Sequence, residues 1–152
     1  MYQSGRENSE LVAALTAVFA DTSVVYYKTH GFHWNVEGPH FYSLHLMFET
    51  FYQPLWESLD EIAERIRALG GKIPQSYNDL LKNASIKEAD ATPVDHLMVK
   101  NLRDDYLALA QKDLDMAAFA EKQGDLVTAN MMTEKATFLQ KAAWMLHSSF
   151  TL

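Results

Sequence analysis

The chain has 152 residues, of which 48% are hydrophobic, and a formal net charge of −7, so we predict a single domain over residues 1–152 with a substantial core. It contains no cysteine, which excludes disulfides and thiolate chemistry. It also lacks an unbroken apolar run of about 18 residues and a basic-then-apolar N-terminal segment, so we expect no membrane span, no signal peptide and a cytoplasmic location.

Two long helices are predicted in the first half of the chain, because only six glycines and four prolines interrupt the whole sequence. The first runs from about Ser9 to Trp34, where apolar residues recur at helical spacing. The second follows Gly38-Pro39 and ends at Gly70-Gly71, and Pro54 inside it predicts a kink. Its apolar stripe comprises Phe41, Leu44, Phe48, Phe51, Leu55, Leu59, Ile62, Ile66 and Leu69.

A long polar connection follows over residues 72–92, with a short helix predicted around Tyr77–Lys82. Thr92 is a predicted N-cap, and Pro93 suits the first turn of a third long helix that reaches about Lys122. The connection therefore separates the second long helix from the third.

Gly124 and Asp125 mark the start of a fourth long helix, which runs to about Ser148. Four long helices with a long connection between the second and the third are typical of a four-helix bundle with a crossover. We therefore predict an all-α fold in which the short helix lies on the crossover.

Candidate metal ligands are concentrated between His30 and Glu64, a stretch that holds four of the six histidines. His45 and Glu49 are four residues apart, as are Asp60 and Glu64, so each pair shares one helix face beside the apolar stripe. Imidazole with several carboxylates is a ligand set suited to iron, and also to zinc or manganese.

The two pairs cannot meet on one metal within one straight helix. His45 and Asp60 are 15 residues apart, which is about 22 Å along a helix axis, whereas metal–ligand bonds are about 2 Å long. Either the pairs are separate features, or one pair meets the other across a two-fold axis in a second copy. A di-iron centre within one subunit is disfavoured, because the only Glu-x-x-His motif, Glu37–His40, straddles a Gly-Pro break.

Several motifs in order resemble the Dps family of ferritin-like proteins. They are His33-Trp34-Asn35-Val36-Glu37-Gly38-Pro39, Leu44-His45-x-x-Phe48-Glu49, Asp60-Glu61-Ile62-Ala63-Glu64-Arg65-Ile66, Gly124-Asp125-x-x-Thr128 and Trp144. The resemblance covers essentially the whole chain and implies a ferritin-like bundle that assembles into a hollow homo-dodecamer. It further implies oxidation of ferrous iron, with hydrogen peroxide preferred over dioxygen, storage of the ferric product and protection from oxidative damage.

The resemblance also implies the roles of individual residues. The metal ligands are His33, His45 and Glu49 from one subunit with Asp60 and Glu64 from its partner. Trp34 matches an aromatic residue beside that centre. Iron is the implied metal, and zinc is a possible substitute on the same ligands.

Two positions depart from the family pattern. Position 49 is Glu where many members have Asp, and Asn130 replaces an acid that often follows Thr128 by two residues and lines an ion-entry pore. Asp125 is therefore the safer pore candidate, with Glu121 as a second one.

Other residues near these motifs are expected to be structural. His30 flanks the candidate ligands without matching one. Glu61 is expected to pair with Arg65 one helical turn later, and Trp56 and Trp144 are expected to serve in packing.

Three rival functions remain open. Compaction of DNA is not expected, because the lysines and arginines are scattered among acids, Arg6 is the only basic residue before Glu7, and the final HSSFTL segment has no Lys or Arg. A shell that sequesters metal, such as zinc, without oxidising it would use the same ligands. A ferritin-like bundle with another oxidase activity is disfavoured by the lack of paired Glu-x-x-His motifs.

Overall fold

Five helices make up most of residues 6–150, the part of the chain that the computed structural model describes. They are α1 (Arg6–Asn35), α2 (Phe41–Ala68), α3 (Tyr77–Leu81), α4 (Asp95–Lys122) and α5 (Leu126–Ser149). No strand occurs within residues 6–150, so the all-α prediction is confirmed. The expectations about a leader segment and about basic residues at the two ends fall largely on 1–5 and 151–152, outside the described residues.

The long helices pack as two hairpins, α1 with α2 and α4 with α5, which are joined along the contact between α1 and α4. The short turns within each hairpin make its helices antiparallel neighbours. The crossover from α2 to α4 carries α3, which contacts α1. This arrangement confirms the predicted four-helix bundle with a short helix on its crossover.

The core consists of two clusters of buried side chains along the bundle. The cluster beside the α1–α2 turn includes Phe48, Leu102 and Leu139, and the cluster at the opposite end includes Ile62 and Met132. Complete burial of a side chain of this size contributes about 1.5–3 kcal/mol. The bundle is therefore held at both ends by its interior, which fixes the faces that α1 and α2 turn outward.

The apolar stripe of α2 is largely confirmed, since six of its predicted positions from Leu44 to Ile66 are buried. Phe41 differs, because it is 42% exposed and its ring stacks on His45 with centroids 4.9 Å apart. Leu59 is only half-buried. The helix runs through Pro54 without interruption, and the kink there stays a prediction.

The helix starts show one wrong prediction. α4 begins at Asp95 after Val94, whose side chain makes no capping hydrogen bond, so Thr92 is not the N-cap. The carboxylate of Asp95 lies in the first helical turn, where a negative charge is favourable. α1 begins at Arg6, three residues before the predicted start.

Helix α1 would satisfy the length and composition of a membrane span over Asn8–Asn35, but 44% of its most apolar window is buried inside the protein. A helix that is apolar on several faces is also expected where it packs against two neighbours. The contacts of α1 with α2 and α4 supply those neighbours. We therefore interpret α1 as the core helix of the bundle.

A buried carboxylate ties the crossover to the bundle. Asp21 on α1 is 1% exposed and accepts hydrogen bonds from the backbone N–H groups of Ser85 and Ile86 at 2.7 and 2.8 Å. Lys112 on α4 also contacts this carboxylate, at 2.7 Å. Burial alone would raise the pKa of Asp21, but the hydrogen bonds from Ile86, Lys112 and Ser85 outweigh it and hold the pKa below its usual value. The carboxylate therefore stays ionised and holds three segments together.

A second buried acid lies on α4 between the residues of the two core clusters. Asp113 is 2% exposed, and its Oδ1 has no hydrogen-bond partner within the described residues. Burial raises its pKa to about 8, and the positive charge of Lys135 only partly opposes that effect. The carboxyl group is therefore protonated in the folded protein near neutral pH.

We expect the folded protein to lose stability at Asp113 as the pH rises. The folded pKa of about 8 lies above the unfolded value, so the stabilising effect of protonation is complete below about pH 4 and is lost progressively up to about pH 8. Asp113→Asn imitates the protonated side chain. Its stabilising effect on the free energy of unfolding should be larger at pH 8 than at pH 5 by roughly 2–4 kcal/mol, since each pH unit between the two pKa values corresponds to about 1.4 kcal/mol.

Thermal or denaturant unfolding at the two pH values measures this difference. Asp115→Asn is the matched control, because Asp115 is exposed on the same helix. An Asp113→Asn effect that is equal at pH 5 and pH 8 would contradict the assigned protonation state.

Candidate metal centre

Two histidines face each other across the turn between α1 and α2. His33 lies in the last turn of α1 and His45 in the second turn of α2. Their rings stack with centroids 3.8 Å apart and an interplanar angle of 14°. Gly38 in the connecting turn has a φ of +119°, a conformation that side chains with a Cβ rarely adopt. The turn sequence therefore brings the two imidazoles together.

The two histidines fix each other's tautomer. The Nδ1 of His33 lies 2.7 Å from the backbone carbonyl oxygen of His45, and the Nδ1 of His45 lies 2.7 Å from the carbonyl oxygen of His33. A carbonyl oxygen can only accept, so both Nδ1 atoms carry the hydrogen and donate. In the neutral rings both Nε2 atoms then keep a lone pair, which is the arrangement of metal-binding histidines in proteins.

The hydrogen bonds also satisfy the backbone. His33 lies within the last four residues of α1, where carbonyl groups lack an intrahelical partner. His33 is 6% exposed, whereas His45 is half-buried. The pair is therefore held rigidly at the edge of the core.

Three candidate carboxylates are left without partners in the subunit. Glu49, Asp60 and Glu64 form no hydrogen bond or ion pair with any residue in the described part of the chain. Asp60 and Glu64 are exposed, and Glu49 is half-buried. Within residues 6–150, no group of three or more His, Asp and Glu side chains is placed to hold a metal ion. Each subunit therefore presents two incomplete sets of candidate ligands, one beside the α1–α2 turn and one farther along α2.

Neighbouring charges on α2 are engaged in ion pairs with α5. The predicted pair of Glu61 with Arg65 is wrong, because Glu61 accepts from Lys135 at 2.7 Å and Arg65 donates to Asp125 at 2.8 Å. Lys135 lies on α5 and Asp125 is the N-cap of α5, so neither partner belongs to α2. The helical spacing of Glu61 and Arg65 could not reveal these pairs. Glu61 therefore forms an ion pair, whereas Glu49, Asp60 and Glu64 form none within the described residues.

The structure gives Asp125 a task in helix capping. As the N-cap of α5 it accepts a hydrogen bond from the backbone N–H of Thr128 at 3.0 Å, and its carboxylate also accepts from the Thr128 hydroxyl and from Arg65. Burial would raise its pKa, but these hydrogen bonds and the positive charge of Arg65 lower it overall. Glu121 is exposed at the end of α4. A pore role for either residue stays a prediction.

An aromatic cluster beside the histidines was not predicted from the sequence. It consists of Tyr26, His30, Trp34, Tyr52 and Trp56. His30 lies between Tyr52 and Trp34, with centroids 3.8 Å from each, and the Tyr52 ring lies 5.0 Å from that of His33. The i,i+4 spacings of Tyr26 with His30 and of Tyr52 with Trp56 are the signal that could have revealed it.

All three tryptophans are exposed in the subunit, although packing was predicted for Trp56 and Trp144. Trp34, Trp56 and Trp144 are 57%, 61% and 64% exposed. Trp34 and Trp56 nevertheless contact other members of the aromatic cluster. The ring centroids are 3.8 Å apart for Trp34 and His30 and 5.3 Å apart for Trp56 and Tyr26. Large exposed aromatic side chains are typical of interaction surfaces.

Comparison with known proteins identifies the family. A ferritin-like domain matches residues 12–151. The DNA protection during starvation protein 2 of Bacillus anthracis is 36% identical over 141 residues, which cover 93% of this chain and 97% of that protein. The chain belongs to the Dps family of ferritin-like proteins. Another Dps relative, from Porphyromonas gingivalis, is 35% identical over 93% of this chain and 89% of its own length.

Solved structures of Dps proteins share this fold. Dps from Staphylococcus aureus superposes with a TM-score of 0.90 at 33% identity, covering 99% of both chains. A Dps from Vibrio cholerae, described as a member of the ferritin-like diiron-carboxylate proteins, gives a TM-score of 0.89 at 32% identity over 94% of this chain and 90% of that one. The family supports iron storage and ferroxidase-type chemistry in general terms.

We expect Asp125→Ala to lower the free energy of unfolding by roughly 1–2 kcal/mol, because α5 loses its N-cap. Asp125→Asn should cost less, since an amide oxygen still accepts from the Thr128 N–H. Denaturant unfolding of both variants measures the difference. Unchanged stability of Asp125→Ala together with slower iron uptake would instead assign the side chain to ion entry.

Proposed function

We propose that this Dps protein is a ferroxidase and iron-storage mini-ferritin. In this proposal it oxidises ferrous iron at two-metal sites between subunits and stores the ferric product inside a hollow dodecamer in the cytoplasm. The observation that carries the proposal is the His33–His45 pair, whose reciprocal hydrogen bonds leave both Nε2 lone pairs available, with the unpartnered Glu49 one helical turn after His45. Iron is the substrate of this centre.

The remaining ligands come from a second subunit. His45 and Glu49 lie towards one end of α2, and Asp60 and Glu64 lie towards the other. A two-fold axis that crosses α2 midway between the pairs would set each end of the helix against the opposite end of its partner. Such an axis completes two sites at once. The exposed Trp56 lies close to that midpoint in sequence, which supports an interface there.

The donor set suits oxidation of iron. Each Nδ1–H donates to a backbone carbonyl, which makes the opposite nitrogen a better ligand. The carboxylates are hard, negative ligands that stabilise ferric iron more than ferrous iron. Two ferrous ions then supply the two electrons that convert one hydrogen peroxide and two protons into two waters. We propose peroxide as the preferred oxidant on the family resemblance.

Charge supports uptake and storage. The net charge of −7 per chain attracts cations to the shell, and Glu121 or Asp125 would line the entry pore. Zinc fits the same ligands but has no redox chemistry. We therefore expect zinc to compete with ferrous iron and to inhibit its oxidation.

The replacement of both histidines tests the centre directly. Protein loaded anaerobically with ferrous iron and then given peroxide should develop ferric absorbance rapidly, with about one peroxide consumed per two irons. His33→Ala/His45→Ala should oxidise iron no faster than buffer. His96→Ala is the control, because His96 is an exposed residue at the start of α4. Wild-type rates in the double variant would refute these ligands.

A mixing experiment tests whether the sites lie between subunits. His33→Ala/His45→Ala and Asp60→Ala/Glu64→Ala should each be inactive alone. When the two variants are coexpressed, random pairing makes half of the two-fold pairs mixed, and each mixed pair contains one intact site. The assembly should therefore recover about one quarter of the wild-type sites.

Ferric absorbance after a peroxide pulse measures this recovery, and tagged subunits show that both variants are in the same oligomer. A mixed oligomer that stays inactive would mean that the ligand sets do not meet across a two-fold axis.

A further inference from the structure

We propose that Tyr26 is a one-electron donor that reduces the oxidant formed when peroxide meets a metal centre holding a single ferrous ion. The aromatic cluster connects Tyr26 to His33 and His45, and His30 takes the phenolic proton. The inference rests on the proposed ferroxidase function and extends it to the partly loaded centre.

A single ferrous ion poses a chemical problem. Complete reduction of hydrogen peroxide to two waters needs two electrons, and one ferrous ion supplies one. The products are then a ferric ion, hydroxide and a hydroxyl radical. The radical becomes water when it gains one electron and one proton. A phenol close to the site can supply the electron, and it becomes a phenoxyl radical when a neighbouring base takes its proton. The proton that completes the water then comes from solvent.

A continuous series of ring contacts leads from the ligands to Tyr26. The His33 ring contacts that of Tyr52 at 5.0 Å, and Tyr52 stacks on His30 at 3.8 Å with an interplanar angle of 8°. The His30 ring lies 5.6 Å from that of Tyr26. Because electron tunnelling falls off exponentially with distance, several short steps between neighbouring rings are far faster than one step over the whole span.

Tyr26 is the donor because its proton has somewhere to go. Oxidation makes a phenol strongly acidic, so electron loss is easiest where a base accepts the proton at once. The Tyr26 hydroxyl lies 2.9 Å from Nδ1 of His30, and we assign the hydroxyl as the donor in this hydrogen bond. Neither Tyr52 nor the indole N–H of Trp34 has a hydrogen-bond acceptor among residues 6–150.

The starting state of the pair fits this role. Burial, with smaller effects from Tyr52 and Tyr77, raises the pKa of Tyr26, so its phenol remains protonated until it is oxidised. The buried Tyr106 provides a contrast, because its hydroxyl contacts the hydroxyl of Thr29 at 2.7 Å and therefore has no basic nitrogen as a partner.

The phenoxyl radical has a defined fate. A second ferrous ion that arrives at the centre gives up one electron, and His30 returns the proton, so Tyr26 becomes a phenol again. The sum of the two steps is still two ferrous ions and two protons for each peroxide. Tyr26 therefore separates the two electron transfers in time without release of a hydroxyl radical.

The test uses the full-length oligomer, loaded anaerobically with too little ferrous iron to fill the paired sites. After a peroxide pulse and rapid freezing, electron paramagnetic resonance should detect a tyrosyl radical in the wild type. Tyr26→Phe should lose most of that signal and should give more hydroxyl-radical adduct with a spin trap. Tyr27→Phe is the matched control, since Tyr27 is adjacent and 67% exposed.

A second variant and a second condition separate the outcomes. His30→Phe keeps an aromatic ring but removes the base, so it should also reduce the radical yield. With iron in excess over the paired sites, Tyr27→Phe should oxidise iron at the wild-type rate. A radical that persists in Tyr26→Phe, or spin-trap yields equal to those of the wild type, would overturn the role of Tyr26 while the ferroxidase stands. Absence of iron oxidation in the fully loaded wild type would instead refute the proposed function itself.

Discussion

The turn between α1 and α2 sets the geometry on which the candidate centre depends. It reverses the chain in five residues, with Gly38 in a positive-φ conformation, and so places the end of one helix beside the start of the next. His33 and His45 then exchange hydrogen bonds with each other's carbonyl groups. One contact therefore fixes two tautomers, satisfies a backbone group at a helix end and aligns α1 with α2. The aromatic contacts farther along these helices follow from the same alignment.

The fold was largely predictable from the sequence, because helical periodicity and the glycines at helix ends are local signals. The start of α4 was not, since Thr92 has the chemistry of an N-cap while the helix begins only after Val94. Partners between helices were also missed, as in the Arg65–Asp125 pair, whose members are 60 residues apart. Such pairs depend on the rotation of each helix about its axis, which packing decides. The five candidate ligands came from motif resemblance, whereas the hydrogen bonds that fix the histidine tautomers required coordinates.

The charged residues of α2 include some that form ion pairs with another part of the bundle and some that form none within the described residues. Arg65 and Glu61 pair with Asp125 and Lys135, so they fix α5 and its N-cap against α2. Glu49, Asp60 and Glu64 have no such partner within the described residues, and they remain available to a cation. An unpaired carboxylate at the surface costs the fold little. The folded subunit can therefore carry these candidate ligands at little cost in stability.

The unbroken course of α2 from Phe41 to Ala68 has a consequence for how this sequence can change. The helix fixes both the distance and the angle between the candidate ligands at its two ends, since each residue advances it by about 1.5 Å and turns it by about 100°. Substitutions between Glu49 and Asp60 leave that relation intact. A single inserted or deleted residue would rotate one set to another side of the helix. The spacing of the two candidate sets therefore tolerates substitutions in this segment but no change in its length.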